Sequence, residues 1–289
     1  MDRLPFTDTH VHFYDRREPA LTYSWLEPEA EDPELGDYSA IKATRYAAED
    51  FVSETRFQNV ERVIHMQAAI GTADPVEETR WLQAASERVG VPHGIVAYAD
   101  LTAADLRATL DRHLAFPAVR GIRDFRYDDY LTDPAWEAGF GLLGELGLVC
   151  CDDPAIEQAH EVRRIADAHP GTTFCLDHAY FPHQRDDEYF AAWSAAVRTA
   201  AAAPSTVIKI SGLGQIDHTW TVESLRRWVL TCIEAFGVDR TFFGTNWPVD
   251  RLFSSYGDVL DAYADLISEF TPDEQAAMFS GNARRVFRV

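Results

Sequence analysis

The chain has 289 residues, of which 46% are hydrophobic, so it can bury a large core as one domain or two. Its formal net charge of −21, without any basic run, excludes nucleic acid and anionic membranes as electrostatic partners. No apolar stretch approaches the ~18 residues of a membrane-spanning helix, and the polar start Met1-Asp2-Arg3 does not resemble a signal peptide.

Eight apolar runs, rich in β-branched and aromatic residues, recur along the chain and predict strands. In chain order they are 6–13, 60–68, 91–99, 119–125, 148–153, 172–179, 205–213 and 240–248. The segments between them have helical periodicity, most clearly in 219–236. Strand and helix alternating eight times predict a single (β/α)8 TIM barrel domain over residues 1–289. The alternative, a doubly wound open sheet, lacks a G-x-G-x-x-G after any strand.

One connection is much longer than the others. Residues 14–46, between the first strand and the first helix, contain Trp25 and the acidic run EPEAEDPELGD. A loop of this length in a compact domain is usually functional or disordered, and YSWL at 23–26 is too apolar for a solvated tail. We therefore interpret residues 14–46 as a candidate lid over the barrel mouth. The alternative is a packed surface loop.

The four cysteines show no C-x-x-C spacing. This usage is typical of reduced thiols in the core of a cytoplasmic protein, which is the compartment we expect.

Polar side chains fall at the predicted carboxyl ends of several strands, where barrel active sites lie. Residues two apart in a strand share a face, so His10 and His12 point the same way. The same parity places His65 and Gln67 inward in strand two. The other residues expected at the mouth are Arg123, His178, Lys209 and Asn246.

The chemistry of this set has two interpretations. Three imidazoles, His10, His12 and His178, could bind one divalent ion and leave a position for water or substrate. Alternatively, imidazoles together with Lys209 could stabilise an oxyanion without a metal. A lysine between two isoleucines in a strand needs either a partner or a function.

Dispersed motifs resemble the amidohydrolase superfamily, and within it the amidohydrolase-related branch that includes sugar-lactone and pyrone-dicarboxylate lactonases. The motifs are His10-x-His12, YSWL (23–26), RGIR (120–123), LDH (176–178), KISGL (209–213), GTNWPVD (244–250) and GNARRVFR (281–288). The resemblance spans nearly the whole chain. It implies hydrolysis of an ester, lactone or amide, with His10, His12 and His178 lining the metal site or its vestige.

This sequence departs from the family pattern at one position of the expected site. The position of Asn246 is typically Asp in this family pattern, where the carboxylate binds metal and takes a proton from water. An amide cannot act as a general base and is a poorer ligand. We therefore expect that any metal, most simply zinc, is weakly bound or absent. His65, His178 and Asp250 are the candidate bases, although Asp250 could instead be a surface cap or ion-pair partner.

An acidic protein that accepts an anionic substrate needs local positive charge. Arg123 is the best candidate for a carboxylate clamp. Arg126 is either a second mouth cation or the partner of Asp128 or Asp129. Trp25 and Trp247 are candidate pocket walls, with plain packing as the alternative. His183 follows strand six and is either a substrate contact or a solvated loop residue.

The leading hypothesis is therefore a hydrolase of a small carboxylate-bearing lactone or related cyclic ester, with a sugar-acid or aromatic-degradation lactone as substrate. Two alternatives remain: a lyase or decarboxylase on the same barrel, and a degenerate barrel that binds an acidic metabolite without turnover. A small molecule is the only partner that the sequence predicts.

Overall fold

Eight parallel strands follow one another in chain order around a single sheet in the computed structural model, which describes residues 3–126 and 129–289. The strands are β1 Phe6–Val11, β2 Val60–Met66, β3 Gly94–Tyr98, β4 Val119–Arg123, β5 Val149–Asp152, β6 Phe174–Leu176, β7 Thr206–Ile210 and β8 Thr241–Phe243. The main helices are α1 Ala48–Thr55, α2 Val76–Val89, α3 Leu106–Leu114, α4 Pro134–Glu145, α5 Ala159–Ala168, α6 Asp187–Ala201, α7 Val222–Phe236 and α8 Tyr256–Leu266. Two short helices, α9 Pro272–Ala276 and α10 Asn282–Phe287, end the chain.

The sheet nearly closes on itself between β8 and β1. Thr9 Oγ1 donates to the carbonyl of Phe243 at 2.7 Å, and the amide of His12 donates to the carbonyl of Trp247 at 2.7 Å. Gly244 allows this close approach, because a Cβ there would lie 2.9 Å from the Cβ of His10. The predicted (β/α)8 barrel is confirmed.

Two apolar layers alternate along the strands. Ile64, Val96 and Phe242 lie inside the barrel, in one cluster with Phe287 of α10. Their neighbours along the strands, such as Ile95, pack against the surrounding helices. Helix α10 therefore closes the amino-terminal end of the barrel, and the carboxyl-terminal end remains for a site.

The candidate lid is an ordered segment in this structure. Its ends form a two-residue antiparallel ladder, Tyr14–Asp15 with Arg45–Tyr46. Leu35, Tyr38 and Ile41 pack on Val249 beyond β8, in a small apolar cluster separate from the main core. These contacts show a loop packed beside the end of β8; that it acts as a lid over the mouth and opens for substrate stays a prediction.

All four cysteines are buried and carry free thiols. Within residues 3–126 and 129–289, no helix combines the length and the apolar character needed to cross a bilayer.

Candidate active site

His10 and His12 turn their imidazoles toward each other at the end of β1. The two Nε2 atoms are 3.1 Å apart. His12 Nδ1 lies 3.0 Å from the carbonyl oxygen of Met66, so this nitrogen carries the proton and Nε2 keeps its lone pair. A backbone carbonyl that fixes the tautomer in this way is typical of metal-binding histidines.

His178 joins them from the end of β6, with its ring centroid 4.4 Å from that of His10. A hydrogen bond of 3.0 Å joins its Nδ1 to Ser211 Oγ beyond β7. His178 opens an unusual turn, because it and the next three residues all have positive φ, of 53°, 55°, 58° and 29°. Left-handed backbone costs roughly 1–2 kcal/mol per non-glycine residue. Strain of this kind persists where the surrounding structure holds it, often at functional sites.

Gly212 makes room for the His178 ring. It has φ +63°, and a Cβ at this position would lie 2.4 Å from His178 Nδ1. We predict that Gly212→Ala displaces the imidazole and lowers catalytic efficiency about 10- to 100-fold, since small misplacements in a site are costly. The matched control is Gly147→Ala, at φ +67° with no atom within 4 Å of the added Cβ.

Both glycine variants should lose similar stability from the left-handed backbone, roughly 1–2 kcal/mol. Urea unfolding and steady-state kinetics on the two proteins separate the backbone effect from the ring displacement. Equal kinetic losses in the two variants would contradict the role given to the His178 orientation.

Burial keeps all three imidazoles neutral. It lowers the pKa of His12 to about 3, with Arg123 adding to the effect. Burial is also the main cause that holds the pKa values of His10 and His178 well below the usual range, and nearby cations lower them further. Neutral imidazole is the form that binds a metal ion or accepts a hydrogen bond.

A buried carboxylate that sequence reasoning missed, Asp177, lies directly beneath the histidines. Its Oδ1 is 2.8 Å from Lys209 Nζ, and its Oδ2 is 3.8 Å from His10 Nδ1. The same Oδ2 is 4.0 Å from Arg123 Nε. The LDH motif contains this residue, but no local pattern indicates that three cationic or imidazole groups surround it.

The prediction that Lys209 is a mouth residue is wrong. Its side chain is inside the barrel, but it is fully buried, ion-paired with Asp177 and only 3.3 Å from Met66 Sδ. It does not reach the cavity at the mouth. Burial acts to lower the pKa of Lys209, but its neighbours together, Asp177 first among them, raise it, so the ammonium stays charged.

The mouth holds a cavity of about 320 Å³. His12, His178 and Asn246 form its floor, and Gln67 and Arg123 line its side. Trp25 of the candidate lid lines it from above, with its indole Nε1 donating to the carbonyl of Ala68 at 2.8 Å. Its volume is at the small end of the range for small-molecule sites.

Arg123 is the buried cation of this cavity. Its nearest carboxylate within the cavity is Asp153, with Nη2 3.4 Å from Asp153 Oδ1, and its guanidinium lies 4.5 Å from the Phe125 ring centre. Arg126 also lines the cavity, but it pairs with Asp124 at 2.9 Å and with Asp100 rather than with Asp129. The other predicted partner, Asp128, lies outside the described residues.

His183 is bonded to the candidate lid. Its Nδ1 lies 2.6 Å from Glu34 Oε1, and both residues line the cavity. The hydrogen bond to Glu34 is the main cause that raises the pKa of His183. The protonated form is therefore favoured in the closed arrangement. The stabilisation that the His183–Glu34 bond gives to the closed arrangement is complete below the pKa of a free histidine, about 6.5. It is lost as the pH rises through the raised pKa of His183.

We predict that limited proteolysis between Glu27 and Tyr38 is slow at about pH 6 and faster at about pH 9, with the pH dependence lost in His183→Gln. The control His160→Gln changes an exposed histidine of α5 and should behave like the wild type. Saturating ligand should slow cleavage further if the loop closes over it. Cleavage that is independent of both pH and ligand would leave the loop as packing only.

His65 does not face the barrel interior, and that prediction is wrong. The ring lies between β2 and α2, where Nε2 is 3.3 Å from Glu78 Oε1. Nδ1 accepts a hydrogen bond from the amide of Phe13 at 3.1 Å, so the ring supports the backbone just after His12. Trp247 also lies away from the cavity, buried against Tyr256 with its indole donating to Glu54 at 3.1 Å.

Asn246 lines the cavity beside His12, whereas Asp250 does not. The turn after Pro248 folds Asp250 back toward the barrel, but it places the carboxylate behind Asn246. Asn246 Nδ2 donates to Asp250 Oδ2 at 2.7 Å. Burial raises the pKa of Asp250 to about 7. The alternative of a surface cap is wrong, since the residue is only 4% exposed.

His10 and His12 are placed to bind a divalent cation of borderline softness, but their nitrogen atoms and those of His178 do not all lie within 4.8 Å of one another. The Nε2 atoms of His10 and His12 have a spacing suited to one ion, and the Nδ1 atoms of His12 and His178 are hydrogen-bonded, whereas His10 Nδ1 lies 3.8 Å from Asp177 Oδ2 without a hydrogen bond. Among residues 3–126 and 129–289, the only group of three or more His, Cys, Asp or Glu side chains whose ligand atoms all lie within 4.8 Å of one another is Cys151, Cys175 and Asp177. That group is a poor cation site, because the Lys209 ammonium already contacts Asp177.

The fold and the histidine cluster define a class, a (β/α)8 barrel protein with a cluster of imidazoles at the carboxyl ends of its strands. The model of the Amidohydrolase family matches residues 7–289, and the chain belongs to this family.

Three relatives illustrate its range. An uncharacterized protein of Sinorhizobium fredii is 36% identical over 302 aligned residues, covering 100% of both chains. An L-fucono-1,5-lactonase of Burkholderia ambifaria is 30% identical over 227 residues, covering 74% of this chain and 76% of its own. The crystal structure of a Burkholderia multivorans amidohydrolase with bound zinc has a TM-score of 0.83 at 24% identity, covering 98% and 99% of the two chains.

Proposed function

We propose that the protein hydrolyses a small lactone that carries a carboxylate or several hydroxyl groups. The observation that carries the proposal is the arrangement of neutral imidazoles on the cavity floor beside Arg123. Membership of the Amidohydrolase family and the lactonase relatives support hydrolysis. The reaction adds water across the ring ester: the water oxygen bonds to the carbonyl carbon, and the ring C–O bond breaks.

The cavity walls favour a sugar-acid lactone over an aromatic one. Arg123 offers a guanidinium edge to a carboxylate or to the carbonyl oxygen. Four carboxylates, Asp32, Glu34, Asp129 and Asp153, also line the cavity. They accept hydrogen bonds from hydroxyl groups but repel a second carboxylate on the substrate.

Protons move through residues at the cavity floor and wall. Asp153 and, when no cation is bound, His178 are the candidates to exchange a proton with water and with the departing ring oxygen, since both line the cavity. Burial is the main cause that raises the pKa of Asp153, which favours its protonated form as a donor. His10, His12 and His178 would hold a divalent cation, which supplies Lewis-acid polarisation and a more acidic water when bound.

A panel of aldonolactones assayed with a pH indicator tests the proposal, because hydrolysis releases a proton and binding alone does not. We expect proton release with at least one hydroxylated lactone, and a large loss in His178→Gln. The control Glu274→Gln changes a partly exposed capping residue of α9 that does not line the cavity. Ligand-induced stabilisation without proton release would favour the binding barrel, and release of carbon dioxide from an acid would favour the decarboxylase.

A further inference from the structure

The turn after β8 holds Asn246 in a defined, unusual conformation. Asn246 has φ +58° and is nearly completely buried while lining the cavity. The preceding residue, Thr245, donates both its amide, at 2.9 Å, and its hydroxyl, at 2.6 Å, to the buried carboxylate of Asp8. The backbone is therefore fixed on the amino-terminal side of Asn246.

Asp250 fixes the side chain from the other direction. The 3-10 turn Val249–Leu252 brings it beneath Asn246, where it accepts the 2.7 Å bond from Nδ2. Its second oxygen accepts from the amide of Gly214 at 3.2 Å. Gly214 permits this approach, since a Cβ there would lie 2.7 Å from Asp250 Oδ1. Within the described chain, Asp250 forms no ion pair.

This arrangement selects one amide orientation. A carboxylate only accepts hydrogen bonds, so it binds the nitrogen end of the Asn246 amide and directs the oxygen end away. The oxygen end of the Asn246 amide therefore faces His12 and the cavity.

We propose that Asp250 is a positioning residue that acts through Asn246 to complete a cation site with the imidazoles. It holds the amide oxygen toward His12, and in its ionised form it places one negative charge behind Asn246, one side chain farther from the site than a direct carboxylate ligand. The pair thus keeps the charge of an aspartate at this position but weakens its attraction for a cation, because Coulomb energy falls with distance. The inference rests on the proposed function because it takes the same cavity to be the active site. It does not depend on which substrate is hydrolysed.

Zinc affinity of the stripped full-length protein tests this inference, measured by competition between Zn²⁺ and a chromophoric chelator. We expect Asp250→Asn to lower the association constant about 10- to 100-fold, the usual effect of losing a group behind a ligand. The reciprocal variant Asn246→Asp/Asp250→Asn places the carboxylate directly at the site, and it should bind Zn²⁺ at least about tenfold more tightly than the wild type. The control Glu274→Gln removes a remote carboxylate and should change nothing.

A purely structural role for Asp250 would not produce this order of affinities. Wild-type affinity in Asp250→Asn, a double variant weaker than Asp250→Asn, or no Zn²⁺ binding to the wild type at millimolar zinc would each overturn the inference. Thermal unfolding confirms that each variant is folded. Lactone hydrolysis is assayed separately. If the wild type and the variants bind Zn²⁺ in the expected order of affinity but the wild type hydrolyses no lactone, only the proposed function is contradicted.

Discussion

Lys209→Met is expected to lower the free energy of unfolding by about 3–5 kcal/mol, the cost of removing one partner from a buried ion pair. Asp177 would then keep a buried charge, and among the described residues the cation that remains near it is Arg123, with Nε at 4.0 Å. Urea unfolding at neutral pH measures the change. The other lysine of the chain, Lys42, provides the control: Lys42→Met removes a partly exposed ammonium that donates to the carbonyls of Pro28 and Ala30, and it should lower the free energy of unfolding by only about 1 kcal/mol.

The double variant Lys209→Met/Asp177→Leu removes both charges together. It should recover much of the lost stability, because well-packed apolar residues often replace a buried ion pair without penalty. If Lys209→Met lowers the free energy of unfolding by less than about 1 kcal/mol, water or another group compensates Asp177, and a direct buried ion pair is contradicted.

Arg123→Ala is expected to lower kcat/KM for a carboxylate-bearing lactone by about 30- to 1000-fold, equivalent to roughly 2–4 kcal/mol of lost charge-assisted binding. The guanidinium is almost fully buried and its bond to Asp153 is long, at 3.4 Å, so it can bind a substrate anion in the cavity. The methyl ester of the same substrate is the matched control. The variant should lose much less with the ester, because the charge on the ligand is absent.

Comparable losses on acid and ester would assign Arg123 to the carbonyl oxygen or to the structure rather than to a carboxylate. An unchanged kcat/KM with both substrates would remove Arg123 from the site.

The barrel was predictable because its signals are local and repeated. Each strand is a short apolar run and each helix has its own periodicity, so eight units specify the topology without any long-range information. The dispersed motifs likewise predicted the family, and the parity of His10 and His12 predicted their convergence.

The wrong predictions arose where a sequence pattern shows which residues share a face of a strand. Such a pattern does not show whether that face points into the barrel, or how far along the barrel axis a residue lies. In β2 the residues on both sides of His65 are apolar, and apolar residues fill both the barrel interior and the layer beneath the helices. Parity therefore could not tell which side His65 would take. For Lys209 the face was right, but the sequence gives no position along the barrel axis, and the ion pair with Asp177 joins residues 32 apart in sequence.

The left-handed turn at His178 also lacked any signal. Positive φ is usually marked by glycine or asparagine, whereas this segment reads His-Ala-Tyr-Phe. Hydrogen bonds from distant elements hold it, such as the 3.0 Å bond from the Trp193 indole to the carbonyl of Ala179. Tertiary contacts of this kind cannot be inferred from the local sequence.

The central claim, hydrolysis of a lactone at the histidine floor of the cavity, is tested most directly by turnover in ¹⁸O-labelled water with mass spectrometry of the product. We predict a hydroxy acid heavier than the lactone by one labelled water, with a single ¹⁸O in its carboxylate, and no product above background from His178→Gln. Turnover that releases carbon dioxide, or a product without ¹⁸O, would contradict the account.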